Sequence, residues 1–181
     1  MNNLQNRANA VMAFSISAIF CLLAAIALSA LVIPASPSGS IALDSIKVVT
    51  GRYDKNWVDF KTQDNEFANT LMQIDADLSS LFHWNTKQLF VYAIAEYSTP
   101  THPKNQIFLW DTIIKSKSDA VLRKKGIVNK YSLIDVNKKW TNVHATISLH
   151  WNVVPYVGFM TYGRSQASEA YAFPLPSGSQ T

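Results

Sequence analysis

Ser165, flanked by Gly163 and Ala167, approximates the G-x-S-x-G turn on which many hydrolases expose a nucleophilic serine. The motif is incomplete. Ala167 occupies the place of the second glycine, and the surrounding residues do not read as a strand turning sharply into a helix, so a loop or strand edge is the simpler reading. His144 or His150 would have to act as the base. Both fall on one face of a single alternating run, but six residues at about 3.3 Å each separate them by about 20 Å, too far to share a metal ion. Asp75 and Asp77 could form an acid/base pair or hold calcium. The apolar residues alternating with them make them the wet face of a strand instead. His83 and His102 lie in turn-rich stretches with no neighbouring ligand, and the sequence has neither H-E-x-x-H nor a phosphate-cradling glycine loop. No catalytic residue, metal ligand or cofactor site is expected.

The elements that would have to position such groups are a water-soluble body and an apolar stalk. Residues 10–33 form a run of 24 without a charge, and as a helix they reach about 36 Å, enough to cross a hydrocarbon core of about 30 Å with some tilt. Twelve Leu, Ile, Val and Phe residues in the run favour insertion by about 4 to 7 kcal/mol. Ser15, Ser17 and Ser29 do not reverse this, because a helical serine can bond a preceding carbonyl. A cleaved secretory signal is the rival reading, but its apolar region is shorter, about 7 to 15 residues, and follows a basic stretch, whereas only Arg7 precedes this one. Arg7 and the α-amino group on the short side predict a cytosolic tail (residues 1–9), a membrane-spanning helix (10–33), a Pro/Ser/Gly linker (34–40) and a luminal or extracellular domain (41–181). Seven linker residues reach at most about 25 Å, so the domain is held close to the bilayer surface.

Composition bounds that domain. The 148 residues after Ile33 are enough for one core. Without Arg7, the remaining 15 basic residues face 12 acidic ones, a net charge of about +3. Much of the excess is in Lys115, Lys117, Arg123, Lys124 and Lys125. That stretch could face membrane or nucleic-acid phosphates; with Ser116, Ser118 and Gly126 among the bases and no aromatic between them, a solvated loop is expected and nucleic acid is not. The only cysteine, Cys21, lies in the stalk, so the domain must be stable without a disulfide.

Period-two alternation dominates the domain. Met72, Ile74, Ala76 and Leu78 alternate with Gln73, Asp75 and Asp77; Val143, Ala145, Ile147, Leu149, Trp151 and Val153 alternate with polar residues until Pro155. Residues 89–94 read as a central strand, and residues 107–114 as another around Asp111. Turns are expected at 98–103, 137–139 and 158–163, and only residues 119–125 could make two turns of helix. The expected fold is an all-β sandwich preceded by one N-terminal transmembrane helix. Its five tryptophans (Trp57, Trp84, Trp110, Trp140 and Trp151), with Phe82, Phe90 and Tyr92, supply core and interface anchors.

Residues 81–114 contain W-N-x-K-Q-L-F, A-E-Y-S-T and N-Q-x-x-L-W-D, residues 147–155 end in W-N-V-V-P, and NRANAVMAFS leads into the stalk. In this order and spacing they closely resemble subunit 3 of the eukaryotic signal peptidase complex. The resemblance implies a single-pass type II protein of the endoplasmic reticulum membrane with a luminal β-sandwich and no bond-breaking of its own. Its implied partners are the catalytic subunit, which carries the serine nucleophile and histidine base, and the other small membrane subunits, with the translocating preprotein as a further candidate. On this reading Phe82, Trp84, Asn85, Trp151 and Asn152 are partner contacts. Two positions depart from the family pattern: His144 stands where a glycosylated Asn is common, and His83 replaces an acidic residue before W-N. No N-x-[ST] sequon follows the stalk, so an unglycosylated protein is expected. The alternatives are a membrane-tethered hydrolase built on Ser165 with His144 or His150, and a sandwich-type adhesion or receptor domain, which the lack of cysteines and sequons disfavours.

Overall fold

The computed structural model describes residues 3–51, 65–137, 139–140 and 143–176; Trp57 and the end of the expected domain lie outside the described residues. The stalk is helix α1 (Leu4–Val32), long and apolar enough to cross a membrane. It begins six residues before the charge-free run, because nothing in residues 4–9 breaks a helix. Ser15, Ser17 and Ser29 donate to the carbonyls of Val11, Ala13 and Ile26, which keeps their hydroxyls satisfied within the helix. Ile33 is extended, as the residue before a proline must be, and the helix stops there.

Eight strands follow: β1 (Ser38–Gly51), β2 (Asn65–Asp77), β3 (Thr86–Tyr97), β4 (Asn105–Ile114), β5 (Val121–Val128), β6 (His144–Pro155), β7 (Thr161–Arg164) and β8 (Tyr171–Ala172). They form two antiparallel sheets, β1-β2-β5 and β4-β3-β6-β7, with β8 also pairing with β6. The all-β expectation holds. Ser38, Gly39 and Ser40, assigned to the linker, instead pair with Asp77, Ala76 and Asp75, so only residues 34–37 of that linker remain unpaired.

The basic stretch departs from its expected loop and helix. A single 3-10 turn (Lys117–Asp119) leads directly into β5, where Asp75 pairs with Arg123 and Ile74 with Lys124. Val121, Leu122, Ile127 and Val128 favour a strand, and the free edge of β2 supplies the hydrogen bonds. The lysines then charge an exposed edge strand, a common guard against pairing with another chain.

Both sheets contribute to one core. Val48, Ala68, Met72 and Ile74 from the smaller sheet meet Leu89, Val91, Leu109, Ile147 and Leu149 from the larger. At one end Trp140 closes the core: its ring stacks on Phe173 at 4.5 Å and tilts against Tyr97 at 5.1 Å, and its indole N–H donates to the Leu133 carbonyl. Trp151 is on the inner face of β6, only 5% exposed, with its ring lying over Gly163 on β7. A Cβ at Gly163 would collide with Trp151 Nε1. Gly163→Ala is therefore expected to lower stability by about 1–3 kcal/mol, through displacement of a core ring. Denaturant titration of the full chain in detergent tests this, and an unchanged midpoint would show that Trp151 moves freely.

Candidate functional site

The residues that could form a nucleophilic site do not assemble into one. Ser165 is buried, accepts the Leu149 N–H and donates to the Gln166 carbonyl, so its hydroxyl is committed to holding the chain after β7 against β6. His150 instead contacts Ser148, two residues earlier on the same strand, at 2.9 Å. Ser148 is itself buried, and among the described residues no hydrogen bond orients the other imidazole nitrogen of His150. His144 lies at the opposite end of β6 and is exposed. Asp75 lies on the wet face of β2, and Asp77 accepts bonds from the Ser79 N–H and hydroxyl that hold its carboxyl below the usual range. His83 Nδ1 accepts the Asn85 N–H, and His102 pairs with Thr101. Among the described residues no cluster of His, Cys, Asp or Glu is placed to hold a metal.

Two other features are assembled. The first lies where β3 begins and β6 ends, with Thr86 opposite Pro155. That register lays the two W-N motifs antiparallel, with Asn152 opposite Phe90 and the Pro155 end beside Asn85. Asn85, 1% exposed, clamps the turn after β6: its Nδ2 donates to the Val157 carbonyl at 2.7 Å, its Oδ1 accepts the Val157 N–H at 3.0 Å, and its own carbonyl accepts the Tyr156 N–H at 2.8 Å. The amide thus acts as a short piece of strand. Trp84 stands beside it, 60% exposed, while Phe82 is half-buried against the core.

The second feature is the outer face of the larger sheet, where polar residues would be usual. Tyr92 lies at its centre, with ring centroids of Phe90, Phe108 and His150 at 5.2, 5.3 and 5.4 Å. The Tyr92 hydroxyl reaches Asn152 at 3.4 Å. Beside these rings runs an apolar groove of about 570 Å3, bounded by Phe90, Phe108, Asp111 and Tyr131. Asp111 accepts hydrogen bonds from Lys130 and Tyr131, and both hold its carboxyl below the ordinary range. Ile113 is exposed on the same strand face.

Of the five expected contact residues, Trp84 alone is largely exposed; Phe82 and Asn152 are half-buried, and Asn85 and Trp151 are enclosed within the domain. Trp151 is on the inward face of β6, where its indole finds core, and Asn85 lies just before β3, where its amide finds the backbone of the turn after β6. Sequence reasoning missed the outer-face groove. Its signal is the spacing of Phe90 and Tyr92, two apart and so on one face of a central strand.

A family model described as signal peptidase subunit matches residues 1–176. The chain belongs to this family. Signal peptidase complex subunit 3 of Caenorhabditis elegans is 32% identical to it over 180 residues, 98% of this chain and 96% of the relative. The Gallus gallus subunit 3 is 34% identical over 176 residues, 96% of this chain and 95% of the relative. The Yarrowia lipolytica subunit 3 is 45% identical over 97 residues, about half of each chain (53% and 52%). The resemblance read from the W-N and N-Q-x-x-L-W-D motifs is borne out.

Two measurements probe this region. Asn85→Ala leaves the Val157 N–H and carbonyl unpaired, so stability should fall by about 1–3 kcal/mol, with faster hydrogen exchange at the Val157 amide. Unchanged exchange at that amide would mean the clamp is dispensable. His150 has its pKa lowered by burial, with Glu96 opposing and Arg164 reinforcing the shift. Below the unfolded value of about 6.5 the unfolded chain takes up a proton that the folded chain resists, so stability should decline as pH falls through that value. His150→Gln should flatten this part of a melting-temperature profile, and an unaltered slope would assign it to other groups.

Proposed function

We propose that the protein is a non-catalytic, structural subunit of the signal peptidase complex of the endoplasmic reticulum, anchored by α1 with its tail cytosolic and its sandwich luminal. It docks on the catalytic subunit and supports removal of signal peptides from translocated chains. The observation that carries this reading is the family match over residues 1–176, which takes in both the helix and the sandwich. The geometry fits: Ser165 is tied to backbone, and no histidine lies within hydrogen-bond reach of it among the described residues.

Docking on the catalytic subunit is assigned to the outer face of the larger sheet, with Asn152, which meets the Tyr92 hydroxyl there, as a further contact. An apolar groove ringed by aromatics, rimmed by Asp111 and Lys130, has the composition of a protein interface, an apolar centre with a charged edge. Phe108 and Ile113 are half-exposed, so replacing them leaves the core intact. A tagged full-length chain purified from membranes in mild detergent should bring the catalytic subunit with it. Phe108→Asp with Ile113→Asp should reduce that recovery about tenfold or more while the thermal melt is kept. Undiminished recovery would remove the groove from the interface; cleavage of a preprotein by the isolated chain would overturn the non-catalytic reading.

A further inference from the structure

The turn between β6 and β7 touches the stalk. Gly158 has φ +116°, a conformation that favours glycine, and a Cβ there would lie 3.2 Å from the Ala27 Cβ of α1 and 3.4 Å from its Cα. Around that contact Ile26, Ala27, Ser29 and Ala30 are partly covered, while the preceding apolar residues of α1 are open. The contact has a definite depth. Ala27 lies six residues before Ile33, about 9 Å along the axis, whereas the charge-free run exceeds a 30 Å core by only about 6 Å in total. If α1 spans the bilayer centred on that run, Ala27 lies about 6 Å inside the edge of the hydrocarbon, and Gly158 packs against it there.

The turn is built for that environment. From Trp151 to Gly163 there is no Asp, Glu, Lys, Arg or His. Phe159 is 92% exposed, Tyr156 and Tyr162 are largely open and Met160 is half-exposed, a set of large, mostly apolar side chains left open by the described residues. Trp84 stands next to them through the bond of Asn85 to Tyr156. Tryptophan and tyrosine are the residues enriched where lipid meets water. An irregular turn entering lipid must also satisfy its backbone polar groups internally, since water is scarce there. Asn85 does this for the Tyr156 N–H and for both polar groups of Val157.

We propose that residues 156–160, with Trp84 and Tyr162 beside them, form a second membrane contact that inserts shallowly into the lipid around the emerging end of α1. Two attachments, one spanning and one interfacial, then fix the tilt of the sandwich on the bilayer, which a single tether of residues 34–37 does not. The inference rests on the reading of α1 as membrane-spanning.

The test uses the full-length chain with Cys21→Ala, carrying a single cysteine from Phe159→Cys, Leu22→Cys or Val136→Cys, labelled with an environment-sensitive fluorophore in phosphatidylcholine vesicles. Leu22 is in the middle of α1; Val136 is exposed close to Asp135, which bonds Tyr97 at the far end of β3. Brominated phosphatidylcholine should quench the label at 159 about fivefold more than at 136, with 22 quenched as well. Met160→Cys should repeat the result at 159. If 22 is quenched while 159 behaves as 136 does, the loop is in water and the proposal is overturned with the anchor intact. An unquenched 22 would remove α1 from the bilayer and the proposal with it. A label at 159 that escapes both brominated lipid and a water-soluble quencher is covered by protein, which also overturns the proposal.

Discussion

Along β3 and β6, from Thr86 opposite Pro155 to Tyr97 opposite Ala145, one antiparallel ladder fixes which side chains of both strands face inward. Because side chains alternate, slipping this ladder by one residue would bring Tyr92, His150 and Glu96 into the core and expel Leu89, Val91, Leu149 and Trp151. The same register brings the Pro155 end of β6 beside Asn85, which allows Asn85 to reach Val157 and sets the turn beyond it. Core, outer groove and the turn against α1 are thus three consequences of one pairing.

The domain reaches this arrangement without covalent help, as its only cysteine is in α1. Packing substitutes. At the far end Trp140 is enclosed by Tyr97 and Phe173, and the Tyr97 hydroxyl donates a hydrogen bond to Asp135 at 2.7 Å; burial and that carboxylate push the phenol pKa up, so it stays a neutral donor. Midway along the β3–β6 ladder, opposite Val91, Trp151 rests on Gly163, where any larger residue would collide with it. The ladder runs about 35 Å, so the turn at 156–160 and the Trp140 plug are at opposite poles of the sandwich.

How well each element could be read depended on whether its physics was local. Met72, Ile74 and Ala76 announced an amphipathic strand because their burial follows from alternation alone, and β6 was legible to its last residue because Pro155 cannot continue a ladder. The basic stretch was misread because its strand exists only through β2: Arg123 and Lys124 have turn-like neighbours, and their hydrogen bonds come from residues 74 and 75, far back in the chain. Trp151 and Asn85 belong to a repeated motif whose packing no local pattern gives: one meets the core, the other the backbone of a turn far along the chain. An exposed anchor and a buried clamp have the same letters.

The sequence by itself determined the helix, the prevalence of strands, the lack of any disulfide and the family, since each follows from composition, local period or ordered motifs. Only the tertiary structure decided that Ser165 bonds to backbone, that Phe90, Tyr92 and Phe108 share an outer face, and that Gly158 lies against Ala27. Those facts are distances between residues remote in the chain. They arise when two sheets close over one core, and no local pattern encodes where the closed surfaces meet.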